Sequence, residues 1–195
     1  YTTDYLAANG FDVVVCPSSS CHGDNVFAPR TFFHMRNTFD SFRKGASGRL
    51  GGAVLTSWTV HLFPWELQRP SIELPQFLAG RPAGGLEEFE QAYARRHFGV
   101  DDLGFFAAVG RLANRGLFNY ADDLGFSKDA RPAPPGYVVD RIEEIAKKGE
   151  LAKELATSES QLREYREGLA QLGAYAKVAK TGHDELAAWD LAARN

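Results

Sequence analysis

The stretch "GGAVLTSWTVHLFPWELQRP" (residues 51–70) contains four side chains able to do chemistry in close succession: Trp58, His61, Trp65 and Glu66. A second group, His22, Asp24 and Asn25, stands in "CPSSSCHGDN". Aromatic faces beside carboxylates and amides suit a sugar, because a pyranose has an apolar C–H face to stack on an indole and a rim of hydroxyls for charge-assisted hydrogen bonds. Competing structural roles exist for each residue. Trp58 reads equally well as a core residue, Trp65 is expected in the core, and Glu66 suits a helix N-terminus behind Pro64. His22 and Asp24 could ligate a metal, but no third ligand stands at a recognisable spacing. "SSSCH" is no evidence for a catalytic triad, whose members meet in space rather than in sequence. "GASGRLGG" lacks the lysine and hydroxyl of a phosphate loop.

Both groups follow apolar runs that must position them. "FDVVVCP" (residues 11–17) and "GAVLTSW" (residues 52–58) have the continuous apolar character of strands buried on both faces of a parallel sheet. Between them, "PRTFFHMRNTFDSFRKG" predicts a helix with Phe32, Met35, Phe39 and Phe42 on one face and Gly45 as its stop. Strand, helix and strand form one βαβ unit. A helical stretch broken at Pro70 and Pro75 follows. Two helical segments come next, one carrying Leu86, Phe89 and Tyr93 and ending at Gly99, the other carrying Leu103, Phe106, Val109 and Leu112. Beyond a stiff "RPAPPG" linker, one amphipathic helix carries Val138, Ile142, Ile145, Ala152 and Leu155. A second opens on a Ser158/Gln161 capping box, and a short last helix holds Leu186 and Trp189.

Two buried-type strands cannot make a sheet alone. The expected fold class is therefore α/β: the last two βα units of a (β/α)8 TIM barrel over residues 1–82, a helical extension over 83–130 and a helical hairpin or bundle tail over 131–195. The start at Tyr1, with Met35 the sole methionine, adds the expectation of a piece of a longer polypeptide. A net charge of -3 gives no pull toward nucleic acid or an anionic membrane surface. No apolar run approaches the roughly 18 residues of a membrane span, and no start resembling a signal peptide is present; a cytoplasmic setting is the expectation and secretion the alternative. Cys16 and Cys21 fit neither a zinc nor a CxxC pattern and are expected as free thiols.

The polar loop before "FAP", then "HMRN" (residues 34–37), then "LTSW" (residues 55–58) with "ELQRP" starting eight residues after the tryptophan, together resemble glycoside hydrolase family 20. These are the exo-β-N-acetylhexosaminidases, and the likeness is greatest to the hexosaminidase D branch. It covers roughly residues 10–80 and rests on order and spacing rather than on any one motif. The resemblance implies that Trp58 walls the terminal sugar and that Asp24 or Asn25 binds its hydroxyls. Glu66 would contact the sugar or brace Trp58. His34, Arg36 and Asn37 match the helix motif and read as a polar face plus a buried tie between helix and barrel rather than as sugar contacts. "WTVHL" departs from the branch's more polar run, leaving His61 unassigned by the match.

The implied reaction is retaining and substrate-assisted, an exception to the scheme with a carboxylate nucleophile. Its catalytic Asp-Glu pair is expected upstream of this chain. Asp184-Glu185 reads as helix capping with Thr181, and the doublets at 87–88, 101–102, 122–123 and 143–144 read as solvated faces and caps, since neighbouring helix positions diverge by about 100°. The expected function is thus the C-terminal portion of a β-N-acetylhexosaminidase that the resemblance implies works without a metal or organic cofactor, this portion contributing sugar-pocket walls and no acid catalyst. The expected partners are an N-acetylhexosamine-terminated glycan and the N-terminal remainder of the barrel, and the helical tail fits either a cover over the barrel or an oligomer contact with a second copy. The rival expectation is a non-catalytic carbohydrate-binding or helical interaction module.

Overall fold

The computed structural model describes residues 2–21, 24, 29–45, 51–58, 63–113 and 137–194. In chain order these form α1 (Thr2–Ala8), β1 (Val14–Val15), α2 (Thr31–Lys44), β2 (Gly52–Ala53), α3 (Trp65–Gly80), α4 (Leu86–Tyr93), α5 (Gly104–Leu112), α6 (Tyr137–Lys147), α7 (Leu151–Val178) and α8 (His183–Arg194). A π-helical turn, Ala94–Phe98, continues α4 and stops at Gly99, whose φ of 69° is the left-handed conformation expected of a glycine stop.

The α/β expectation is overturned. The only sheet among the described residues is a parallel pair two residues long, Val14 facing Gly52 and Val15 facing Ala53, with a bridge from Ser18 to Thr56 beyond it. Val14 and Val54 are each more than half exposed, so these strands are not buried on both faces. The class is all-α, not a segment of a TIM barrel. The valine run has the composition of a buried strand, but the burial that would justify it is found among the helices.

That core is aromatic. Phe89, Tyr93, Phe98, Phe105, Phe106, Tyr175 and Trp189 are all buried, together with Leu67, Leu74, Val109, Leu112, Leu172 and Leu186. Met35 from α2 and Phe63 join the same cluster, so one core runs from α2 to α8. Most of the ring pairs meet edge to face or tilted, the arrangement the ring quadrupole favours; Phe105 and Trp189 cross at 81° with centroids 6.2 Å apart.

Three local expectations change with this packing. α3 runs unbroken through Pro70 and Pro75. Each proline deletes one backbone donor, at a cost of about 3 kcal/mol in a helix interior, but burial of Leu67, Leu74 and Leu78 on the same helix offsets it. In the tail the break falls at Gly149, with φ 73°, rather than at Ser158, and α7 continues through the supposed capping box for 28 residues. On α2 the buried face is Thr31, His34, Met35 and Thr38, while Phe39 and Phe42 are only partly covered and Phe32 stands edge-on to Phe106. The linker at 131–136 and the doublet at 122–123 lie outside the described residues. No described helix is long and apolar enough to cross a membrane.

Two glycines set how closely elements approach. A Cβ on Gly168 would stand 3.0 Å from Arg111 Cβ and Leu112 Cγ, so α7 crosses α5 at a glycine. At Gly182, with φ 72°, a Cβ would stand 2.6 Å from both the His97 carbonyl oxygen and Phe98 Cδ1. Gly182→Ala is expected to lower stability by at least about 2 kcal/mol, from overpacking and left-handed strain together, and Gly173→Ala, which has open space around it, by far less. Urea unfolding of both variants measures the difference.

Candidate functional site

Parallel pairing carries the backbone past the short strands. Hydrogen bonds run from Gly51 N to Val13 O, Val54 N to Val15 O, Thr56 N to Pro17 O, Ser19 N to Thr56 O and Trp58 N to Ser20 O. The ladder thus delivers Ser20, Cys21 and Asp24 on one side and Ser57 and Trp58 on the other, all at the C-terminal ends of the strands. A buried amide fastens this end to α3. Gln68 Oε1 accepts from Ser57 Oγ at 2.9 Å and from Ser20 Oγ at 3.3 Å, and Gln68 Nε2 donates to the Phe63 carbonyl at 3.0 Å.

Asp24 is the hub of the preceding loop. Its Oδ2 accepts from Cys21 N at 2.9 Å, and its Oδ1 accepts from Arg30 N at 3.1 Å and from His34 Nε2 at 2.6 Å. An ionised carboxylate only accepts, so the His34 proton lies on Nε2. Both side chains are almost fully buried. His34 is therefore tied to Asp24 in the loop rather than to a barrel, and Asp24, expected to meet sugar hydroxyls, has both oxygens engaged inside the protein. Arg36 and Asn37 are exposed, Arg36 pairing with Asp40 one turn on.

The two tryptophans are on the surface. Trp58 is 63% exposed and Trp65 54% exposed, which overturns the expectation of a core Trp65. Glu66 is half-buried in the first turn of α3, where the helix N-terminus favours a carboxylate. His22, Asn25 and His61 lie outside the described residues. Cys16 and Cys21 are free thiols. Sequence reasoning passed over Cys21 as a partner of Asp24. The fold places the ligand atoms of Cys21, Asp24 and His34 within 4.8 Å of one another, a grouping that spacings of three and ten residues do not reveal.

A second polar cluster lies within the helical core. Glu185 is 1% exposed, and its carboxylate accepts from Tyr93 Oη at 2.5 Å and from Arg69 Nη1 at 2.8 Å. The reading of Asp184-Glu185 as a capping pair is corrected here: Thr181 Oγ1 donates to the His97 carbonyl, and Glu185 points into the core while Asp184 is exposed. A sequence signal existed, since Glu185 precedes the buried Trp189 by four positions and shares its helix face. Beside this cluster a cleft of about 340 Å³ is lined by Glu73, Phe77, Phe89, Tyr93 and Arg96, and His97 hydrogen-bonds Glu73 at 2.9 Å. Glu185 does not appear in its lining. The doublets at 87–88, 101–102 and 143–144 are exposed, as expected. Comparison with protein-family models, with curated proteins and with solved structures gives no significant match to this chain.

Burial pushes the Glu185 carboxyl up to about 7, against the opposing pull of Tyr93 and Arg69. A group whose pKa rises on folding contributes most below its unfolded value, here near 4.5, and loses that contribution as pH climbs through about 7. Stability is therefore expected to decline between about pH 4.5 and pH 7, with Glu185 responsible for on the order of 3 kcal/mol. Glu90, also raised to about 7 by burial, acts in the same direction. The measurement is urea unfolding of parent and Glu185→Gln across that range: the variant should show a shallower decline, and parallel curves would refute the assignment.

Proposed function

We propose that this chain supplies a sugar-contacting, non-catalytic portion of a glycoside hydrolase acting on terminal β-linked N-acetylhexosamine. The observation that carries the reading is Trp58. Its indole is 63% exposed, although its backbone is tied to Ser20 and its neighbour Ser57 is tied to buried Gln68. An aromatic face carried on a tied backbone and left open to solvent is suited to stacking on a pyranose. The resemblance of "HMRN", "LTSW" and "ELQRP" to family 20 names the sugar class.

The acid catalyst belongs outside this chain on this reading. Asp24 has both oxygens engaged, Glu185 is sealed in the core, and the exposed doublets sit on helix surfaces or in turns. Substrate-assisted retention still needs a general-acid carboxyl placed at the glycosidic oxygen.

A second reading, a helical interaction module, draws on a different observation: Val139, Ile142, Leu151 and Leu155 are about half exposed or more along α6 and the start of α7. Exposed apolar residues at helical spacing suit association with another helix, including one from a second copy.

The chain is expected to bind N,N′-diacetylchitobiose, with Trp58→Ala weakening binding at least tenfold while changing stability by no more than about 0.5 kcal/mol, as for an exposed side chain. Titration calorimetry and urea unfolding measure the two effects. Equal binding by parent and variant would sink the sugar-wall reading. The folded chain alone is expected to release no chromophore from a chromogenic N-acetyl-β-glucosaminide; turnover would place the acid catalyst within it.

A further inference from the structure

We propose that Cys21, Asp24 and His34 form a binding site for one divalent, borderline-soft cation, of which Zn²⁺ is the best match. The site goes beyond the sugar reading and does not rest on it. Three donors of different chemistry, a thiol, a carboxylate and an imidazole, converge within 4.8 Å. Thiolate, imidazole and carboxylate together are a zinc donor set, whereas Mg²⁺ and Ca²⁺ take oxygen ligands. The frame is rigid on two sides: His34 is fixed one turn into α2, and Asp24 is fixed by the backbone N–H groups of Cys21 and Arg30. His34 and Asp24 are buried, while Cys21 is half-buried and leaves a route of entry.

Arg30 lies against the same donors. Its guanidinium is the cation that stands over these donors, and it fits them poorly. Nε lies 3.6 Å from Asp24 Oδ1, and Nη2 lies 4.0 Å from Cys21 Sγ. Arg30 Nε is buried and has no hydrogen-bond partner among the described residues. Nε keeps its ion pair with Asp24, but a buried guanidinium nitrogen left without a hydrogen bond is costly. It marks a place where positive charge is wanted and imperfectly supplied.

A Zn²⁺ ion balances one thiolate and one carboxylate in full. The metal takes His34 Nε2 in place of the proton shared with Asp24, and the neutral imidazole then carries its proton on Nδ1. Cys21 binds as the thiolate and gives its proton to solvent. Arg30, whose side chain is 23% exposed and stacks on the Phe33 ring, is free to turn outward. Three protein ligands leave the fourth tetrahedral position to water or another small donor.

The test is titration of metal-free protein with Co²⁺ and with Zn²⁺ against a competing chelator. One equivalent is expected to bind, with a sulfur-to-cobalt charge-transfer band in the near ultraviolet. Cys21→Ser should abolish that band and weaken Zn²⁺ binding at least tenfold. Cys16→Ser should leave both unchanged, and Arg30→Ala should tighten Zn²⁺ binding. Absence of the band in the parent at one equivalent overturns the proposal, as does unchanged Zn²⁺ affinity in Cys21→Ser. Loss of the band in Cys16→Ser instead of Cys21→Ser also overturns it. If Cys21→Ser does not fold, the parent's Co²⁺ spectrum and the Cys16→Ser comparison still decide the question.

Discussion

The hydrogen bond from Tyr93 to Glu185 crosses the centre of the helical core, and five helices are arranged around it. The Tyr93 ring lies 5.5 Å from Phe106, 5.7 Å from Phe89 and 6.1 Å from Phe105, so it joins α4 to α5. Its hydroxyl reaches Glu185 on α8, and Glu185 reaches Arg69 on α3. α7 closes the assembly by laying Tyr175 against Phe98 and Gly168 against α5. A carboxylate in such a place is costly to desolvate, and deleting either partner would leave it uncompensated. Glu185 therefore constrains which helices can meet, while the rings supply most of the attraction.

The strand-end site depends on that core without belonging to it. α2 and α3 are held by the core through Met35, Leu67 and Leu74. With those helices in place, His34 meets Asp24 and Gln68 meets Ser57 and Ser20. The short parallel pair contributes little burial. Its role is directional: five backbone hydrogen bonds carry the two chain segments side by side until Ser20 and Trp58 are neighbours. The site is thus a polar layer stretched between two helices, with an exposed indole at its edge. Such a layer is suited to presenting side chains, because every buried donor or acceptor that is satisfied inside also fixes a position.

Within that layer the residues divide by exposure. Asp24, His34 and Gln68 are buried and bonded, Cys21 is half-buried, and Trp58 is open. The sugar reading uses the open member, and the metal reading uses the buried pair with the thiol beside it. The two do not compete for the same atoms. An ion at Cys21, Asp24 and His34 would stiffen the loop that runs alongside Trp58, because it would join the end of the β1 ladder directly to α2.

Much of the helical portion was legible in the chain. Leu86, Phe89 and Tyr93, then Phe106, Val109 and Leu112, recur at helical spacing, and Gly99 marks a stop, so local periodicity and one residue's tolerance of positive φ were enough. His34 was picked out only by the "HMRN" resemblance, as a tie between helix and barrel; its bond is to Asp24 in a loop, and no barrel forms among the described residues. The partners of these residues were not legible. The valine run has the composition of an interior strand, yet whether a strand is interior depends on what covers it, and here Val14 is half open. Pro70 and Pro75 carry an intrinsic penalty that only the burial of α3 outweighs. Glu185, Tyr93 and Arg69 meet across separations that no local pattern encodes, as do Cys21, Asp24 and His34. The sequence by itself determined where most helices lie and which of their faces are apolar, because both follow from short-range spacing. Only the tertiary structure decided which polar groups are sealed inside and which indole is left in water, because burial is a property of the neighbours a residue acquires.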